Sequence, residues 1–299
     1  MKLKYWIKAA RIRTLPLALS CILMGASLAS INNFVLKFDV LLLTLVTTIL
    51  LQILSNYAND YGDGVKGTDA NRKNSDRMVQ SGKISSKKML FAIIIVSFLT
   101  LISGILLLLI ALNNDQIWIF LLFLLLGILS IIAAIKYTVG KTAYGYQGFG
   151  DLFVFIFFGF VGVIGSYFLI TGEFHWLTTL GSLFTGVLSC GVLNMNNLRD
   201  YKIDKISNKN TIVVYLGVEK SKIYQNILII IAILSFTAII IISDNILLFI
   251  SCLPLILLVK HLSFVKKNND LEKFDSQLKL VALSCFFSCL LLLCLTTLT

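Results

Sequence analysis

Long runs without a charged residue constrain this chain of 299 residues more than any other feature. A helix that crosses the hydrocarbon core of a bilayer needs about 20 mostly apolar residues. Only 14% of the residues are charged, against about 25% in soluble domains. We therefore predict an all-α integral membrane protein with nine transmembrane helices. The uncharged runs cover residues 14–36, 40–59, 89–114, 116–135, 152–172, 174–198, 223–243, 245–259 and 280–299.

The basic residues lie almost entirely on one side of the predicted bundle. Nine helices place successive loops on alternating sides, and of 26 lysines and arginines only Lys37 falls on the second side. The positive-inside rule assigns the basic side to the cytoplasm. We expect a cytoplasmic N-terminus, an external C-terminus and a location in the cytoplasmic (inner) membrane. The net charge of +11 then reports orientation and contact with the lipid bilayer, not nucleic acid.

Loop lengths predict the domain organisation. The two long loops, 60–88 and 199–222, follow predicted helices that are four apart along the chain. This spacing favours a single transmembrane domain, 1–299, with two related four-helix halves at about 14–136 and 149–262. A ninth helix at 280–299 follows them. No obligate protein partner is implied.

Amides and carboxylates share one face of the helix end that precedes each long loop. They recur at three- and four-residue spacing, which places them on one side of a helix. Either stripe alone is equally typical of a polar helix end that enters a solvated loop. Two stripes in equivalent positions favour a shared oxygen-ligand site, which suits Mg²⁺ because it is commonly held by one or two carboxylates and substrate phosphates. The first stripe is Asn56, Asn59, Asp60 and Asp63, and the second is Asn197, Asp200 and Asp204.

Basic residues accompany both stripes. Carboxylates that hold a metal and arginines or lysines that hold phosphate oxygens together fit a metal-bound diphosphate. For most of these residues, the general excess of positive charge on the cytoplasmic side is a simpler explanation. The candidate diphosphate ligands are Lys66, Arg72, Arg77 and Arg199, and Lys209 also lies near the second stripe.

The remaining polar and small residues favour structural roles. His175 and His261 are far apart in the sequence and are expected at the membrane interface, as are Tyr144 and Tyr146. The six cysteines all lie in apolar runs, where they are expected to pack as small apolar residues. Closely spaced glycines between residues 148 and 165 predict tight helix packing.

The two acidic motifs carry a family resemblance. NDYGD at 59–63 and DYKID at 200–204, on nine predicted helices, resemble the motifs of the UbiA superfamily of intramembrane prenyltransferases. The longer strings LQILSNYANDYGDGVKGTD and LNMNNLRDYKIDKISNKNT are similar to the 1,4-dihydroxy-2-naphthoate polyprenyltransferases of menaquinone biosynthesis. The resemblance implies a UbiA-type bundle, Mg²⁺ as cofactor, a polyprenyl diphosphate donor and an aromatic acceptor. The acceptor would be prenylated with loss of its ring carboxylate as CO₂, giving demethylmenaquinol.

The resemblance also implies roles for individual residues. Asp69 would be a further acid of the first motif, Tyr137 would lie near the allylic carbon, and Lys141 would lie near diphosphate. Asp60, Asp69 and Asp151 are candidate general bases among which the sequence does not choose. The implied metal ligands are Asn59, Asp63, Asp200 and Asp204.

Two other classes of function stay open at this point. A membrane transporter would explain the internal repeat, but its charges would be expected near the middle of the bilayer rather than at helix ends. A non-catalytic scaffold would not need two stripes of acids. Among aromatic acceptors, 4-hydroxybenzoate is the alternative to the naphthoate.

Overall fold

The computed structural model describes residues 2–67, 77–140 and 142–298. Within these ranges the regular structure is entirely helical, and nine stretches are long and apolar enough to cross a membrane. The predicted fold class and number of spans are therefore confirmed. The stretches are Leu3–Ile31, Phe38–Lys66, Ser86–Ala111, Ile117–Lys136, Gly150–Thr171, Leu177–Ile206, Val218–Ile242, Ile246–Lys267 and Leu271–Leu298.

Several stretches are built from more than one helical segment. The first is interrupted at Arg11, the fifth contains a π-helix at Ile156–Ile164, and the eighth begins with a 3₁₀ helix at Ile246–Cys252. The α-helices are α1 (Leu3–Ala10), α2 (Leu15–Ile31), α3 (Phe38–Lys66), α4 (Ser86–Ala111), α5 (Ile117–Lys136), α6 (Gly150–Phe155), α7 (Gly165–Thr171), α8 (Leu177–Ile206), α9 (Ile212–Leu216), α10 (Val218–Ile242), α11 (Leu255–Lys267) and α12 (Phe274–Leu298).

The helices extend beyond the uncharged runs at the basic end of the bundle. α3 and α8 continue through the acidic stripes to Lys66 and Ile206, so the two long loops are shorter than expected. Helix α1, ahead of the first predicted span, was missed because its lysines interrupt the apolar run. It ends where Arg11 adopts a left-handed backbone conformation with φ of 49°. Uncharged runs therefore mark the membrane spans but underestimate the length of the helices, because a charged residue does not end a helix.

Helix α8, which carries the second acidic motif, lies at the centre of the bundle. It packs against α2, α10, α12 and the π-helix. A Cβ atom at Gly159 would lie 2.7 Å from the carbonyl oxygen of Ser182, so the π-helix contacts α8 backbone to backbone. This confirms the tight packing expected at the glycines. In contrast, α5 is on the periphery, with Ala133 as its one buried residue.

A buried chain of polar side chains links α8, α10, α11 and α12. Asn194 donates to Oε1 of Gln225 at 2.9 Å. Nε2 of Gln225 is 3.0 Å from Nε2 of His261, and Nδ1 of His261 is 2.8 Å from Oε1 of Gln277. Because Gln225 uses its oxygen as an acceptor, its amide nitrogen donates to His261, which in turn donates from Nδ1. The interfacial position predicted for His261 is therefore wrong: two glutamines supply the partners that allow the imidazole to be buried.

Candidate active site

A cavity of about 690 Å³ joins the end of the first acidic motif to the interior of the bundle. Its polar end is lined by Arg11, Asp63, Arg77 and Lys209, and its apolar part extends to Leu108 near the far end of α4. Leucine and phenylalanine side chains of α3, α4, α5 and the α6–α7 stretch form the apolar walls. The cavity therefore combines a charged head with a long apolar channel.

Asp63 is the centre of the polar end. Arg77 donates a short hydrogen bond to its carboxylate, and both side chains are buried. The hydroxyl of Tyr146 donates to the same carboxylate at 2.7 Å. Next to Asp63, Gly62 lets α3 pack directly on Thr138. A Cβ atom at Gly62 would lie 2.6 Å from the threonine hydroxyl. The same hydroxyl is 3.2 Å from the amide oxygen of Asn59.

The second motif is paired with cations in a similar way. Arg199 holds Asp200 through two hydrogen bonds of 2.8 Å and also binds Asp275 at the start of α12. The ammonium of Lys209 is 3.8 Å from the carboxylate of Asp204. Each of the three acids Asp63, Asp200 and Asp204 thus has a basic partner.

Tyr146 and Lys209 connect the two motifs. The ammonium of Lys209 lies 5.5 Å from the centre of the Tyr146 ring, and that of Lys66 lies 3.9 Å from it. Since the Tyr146 hydroxyl reaches Asp63, this one ring bridges the ends of α3 and α8. The sequence predicts an interfacial position for Tyr146 and Tyr144 but not these contacts: Tyr146 binds Asp63, and Tyr144 lines the cavity.

Tyr137 lies at the junction of the charged head and the apolar channel. Its ring meets that of Tyr144 edge to face at 5.3 Å, and Tyr144 stacks on Phe153 at 4.1 Å. Burial, followed by the nearby negative charge of Asp151, raises the pKa of Tyr137. Burial also raises the pKa of Tyr144. Both phenols are therefore neutral and present aromatic surface to the cavity.

Other predicted site residues hold the surrounding structure. Both carboxylate oxygens of Asp60 accept backbone N–H groups, from Met78 at 2.9 Å and Val79 at 2.8 Å. Asn56 donates to the carbonyl oxygen of Ala10 at 2.8 Å and to the hydroxyl of Thr14 at 3.0 Å. These contacts place Arg77 and the α1–α2 junction against α3.

Two further predicted residues lie behind the cavity wall. Asn197 is buried within α8. Asp151 is buried too and accepts a hydrogen bond of 3.2 Å from the hydroxyl of Tyr224. Neither side chain lines the cavity. Asp200 and Asp204 are not lining residues either, but they are linked to its polar end through Asp275, which shares Arg199 with Asp200, and through Lys209. Asp69, Arg72 and Lys141 lie outside the described residues.

The polar end also contains residues that sequence reasoning missed. Arg11, Arg13 and Asp275 line it, whereas the sequence pattern assigns the two arginines only to the basic side of the bundle. The available signal was the pair of arginines next to Thr14, directly ahead of the first span. Thr14 joins this segment to α3, because its hydroxyl accepts hydrogen bonds from Gln52 and Asn56 of that helix.

The donor set suits Mg²⁺ when diphosphate is present. In the described parts of the chain, no group of three or more histidine, cysteine or acidic side chains is arranged to hold a metal. Mg²⁺ does not need such a group, since one or two carboxylates with substrate phosphates and water complete its octahedral shell. The carboxylates of Asp63, Asp200 and Asp204 and the amide oxygen of Asn59 are of the right chemical type.

The comparison with known families gives this site its context. The model of the UbiA prenyltransferase family matches residues 18–290. The chain belongs to this family. It is 41% identical to a 1,4-dihydroxy-2-naphthoate octaprenyltransferase of Haemophilus influenzae, over 94% of this chain and 93% of that protein. It is 45% identical to the Escherichia coli protein of the same name, over 74% and 71% of the two chains.

Solved structures of UbiA homologues share the fold. The homologue from Aeropyrum pernix K1 superposes with a TM-score of 0.67 at 15% identity, covering 95% of this chain and 98% of that one. A homologue from Archaeoglobus fulgidus, solved bound to DMAPP and Mg²⁺, gives a TM-score of 0.60 at 15% identity over 96% and 98%. The chain is thus a multi-pass UbiA-type membrane protein, as the motifs indicated.

Proposed function

We propose that this protein transfers a polyprenyl group from polyprenyl diphosphate to 1,4-dihydroxy-2-naphthoate, with loss of the ring carboxylate as CO₂. The observation that carries this proposal is one cavity that joins the Asp63–Arg77 ion pair and the cations beside it to a long apolar channel. The charged head suits a diphosphate and the channel suits a prenyl chain. The names of the relatives that are 41% and 45% identical support the naphthoate as acceptor.

The charged head would bind the diphosphate as a metal complex. Asn59, Asp63, Asp200 and Asp204 would hold Mg²⁺, which would supply electrostatic stabilisation of the leaving diphosphate. The basic partners of the acids would turn toward phosphate oxygens, which accept the same charge-assisted hydrogen bonds as carboxylates. These partners are Arg77, Arg199 and Lys209. Lys66 lies beside them, and we propose Arg72 and Lys141 as further diphosphate ligands from the sequence motifs alone.

The apolar channel would protect the reaction from water. When the allylic C–O bond breaks, the electron pair leaves with the diphosphate and the carbon becomes cation-like. Water would hydrolyse that carbon, so a closed apolar environment favours transfer to the aromatic ring. Tyr137 lies where the charged head meets the channel, and the face of a neutral phenol ring attracts a cation.

The surroundings of the candidate bases distinguish them. Because both oxygens of Asp60 accept backbone hydrogen bonds from the segment that carries Arg77, we propose that Asp60 positions Arg77 and is not the general base. Asp151 lies outside the cavity lining with Tyr224 on one of its oxygens. Asp69 is the remaining candidate, proposed from the motif.

We further propose that the site faces the cytoplasm, with the N-terminus on that side and the C-terminus outside, in the inner membrane. The distribution of lysine and arginine supports this orientation. The division into two related halves also stays a proposal. It is supported by the packing of each motif helix on the next membrane helix, α3 on α4 and α8 on α10.

Product analysis tests the proposal and its alternative acceptor. Purified protein in vesicles would receive Mg²⁺, a series of prenyl diphosphates and either 1,4-dihydroxy-2-naphthoate or 4-hydroxybenzoate. We expect mass spectrometry to detect a decarboxylated prenylated naphthalene diol and release of pyrophosphate. The Asp63→Asn variant serves as the inactive control. Prenylated 4-hydroxybenzoate as the main product would assign the alternative acceptor, and no prenylated product from either acid would reject the proposal.

A further inference from the structure

A second cavity, of about 570 Å³, lies on the outer flank of the bundle between α1 and the beginning of α4. It shares none of its lining residues with the active-site cavity. We call it the flank groove. Its lining residues are Trp6, Tyr57, Lys87, Lys88, Phe91, Ala92, Ile95 and Val96.

The basic rim of the flank groove has no acidic partner among the described residues. Lys87 and Lys88 lie in the first turn of α4, where there is no acidic residue. Both are exposed, and among the described residues neither forms an ion pair. Lys4 and Lys83 add positive charge nearby, with their ammonium groups 5.4 and 5.9 Å from the ring of Tyr5. This concentration of positive charge would attract an anion.

The wall below the rim is apolar and exposed. Phe91 and Ile95 are one helical turn apart on α4 and are 64% and 42% exposed. The floor is aromatic, and the ring of Trp6 meets that of Tyr57 edge to face at 5.6 Å. The lysines at the helix end suit the headgroup of a lipid, and the adjacent tryptophan suits the membrane interface. The apolar face of the helix suits the acyl chains.

We propose that the flank groove binds a diacyl phospholipid with an anionic headgroup. The headgroup would lie against Lys87 and Lys88, and one acyl chain would follow Phe91 and Ile95. Charge complementarity selects an anionic over a zwitterionic lipid, because two exposed lysines that form no ion pair with a described residue meet the headgroup. An anionic headgroup gains roughly fivefold in binding for each nearby lysine.

Trp6 provides a direct probe of the groove. The protein has 3 tryptophans, and the other two, Trp118 and Trp176, lie at the opposite end of the bundle at the starts of α5 and α8. A Trp118→Phe/Trp176→Phe background therefore reports from the groove alone. In vesicles of unlabelled phosphatidylcholine, a small fraction of phosphatidylglycerol with brominated acyl chains should quench Trp6 several-fold more than the same fraction of brominated phosphatidylcholine.

Two paired variants separate a lipid site from general surface charge. Lys87→Gln/Lys88→Gln should remove the preference for brominated phosphatidylglycerol. Lys266→Gln/Lys267→Gln should keep it, because this pair is also exposed and adjacent, but lies in the last turn of α11, outside the groove lining. Equal quenching by the two brominated lipids in the parent protein would overturn the proposal. So would an equal loss of preference in both variants. The measurement does not depend on enzymatic activity, so its outcome is independent of the proposed function.

Discussion

The guanidinium of Arg77 is paired with the carboxylate of Asp63, so the charge of this acid is balanced by a residue 14 positions later in the chain. Asp200 is paired in the same way with Arg199, and Asp204 with Lys209. A metal ion alone would have to compete with these cations for the carboxylates. A diphosphate would attract the cations and leave the carboxylates to the metal. The ion pairs therefore make binding of the two ligands interdependent.

The first prediction concerns this interdependence. Titration calorimetry with Mg²⁺ should show tighter binding in the presence of pyrophosphate, with a coupling in the range of about 5- to 150-fold that is typical between linked sites. In the Arg77→Gln variant, Mg²⁺ alone should bind more tightly and the coupling should decrease, because one competing cation is gone. Identical coupling in the parent protein and the variant would contradict the ion-pair explanation.

The second prediction concerns the charge of the first motif. Asp63→Asn keeps the size of the side chain and removes its negative charge, and we expect turnover to fall by about 10²–10³-fold, as for other groups that stabilise charge in an enclosed site. Asp244→Asn is the matched control, since Asp244 is exposed at the opposite end of the bundle and asparagine tolerates its left-handed conformation, with φ of 50°. Comparable rates in the two variants would reject a catalytic role for Asp63.

Chelation of divalent cations should abolish turnover in the parent protein, and added Mg²⁺ should restore it.

The third prediction isolates the hydroxyl of Tyr146. Tyr146→Phe removes the hydrogen bond to Asp63 but keeps the ring beside Lys66 and Lys209. A hydrogen bond to a charged group contributes about 1.5–3 kcal/mol, so we expect kcat/KM to fall by roughly ten- to a hundredfold. Tyr144→Phe is the control, because its hydroxyl donates to the backbone oxygen of Ala133 at 2.9 Å and not to an acid. If both variants lose activity equally, the contact with Asp63 is not the cause.

The fourth prediction concerns stability. His261→Leu leaves Gln225 and Gln277 without their buried partner, and each unsatisfied polar group costs about 1–3 kcal/mol. We expect a clearly lower Tm in detergent, measured by tryptophan fluorescence. His175→Leu should change the Tm much less, because His175 is only half-buried and accepts one backbone hydrogen bond, from Leu177 at 3.2 Å. A variant of His261 as stable as the parent would show that the polar chain contributes nothing to folding.

The fifth prediction tests orientation. The uneven distribution of basic residues places the C-terminus outside and the loop after α3 in the cytoplasm. A topology reporter fused after Thr299 should therefore read as external, and one inserted at Asn74 as cytoplasmic. If both reporters were on the same side, an even number of spans, and not seven, would separate the two positions.

The number of membrane spans and the two acidic motifs could be predicted from the sequence alone. Transfer of a charge into hydrocarbon is so unfavourable that uncharged runs reveal the spans without knowledge of any contact. Helical periodicity likewise places Asp60 and Asp63 on one face of α3 before any neighbour is known. Both properties depend on residues that are close together in the chain.

The tertiary structure decided what each polar side chain does. Asp60 and Asp63 belong to the same stripe, yet Asp60 holds backbone N–H groups while Asp63 meets Arg77 and Tyr146. His261 is buried and not interfacial because two other helices bring glutamines to its ring nitrogens. The role of a polar group depends on the partners that replace water around it. Those partners come from distant parts of the chain, so only the packing of the helices determines them.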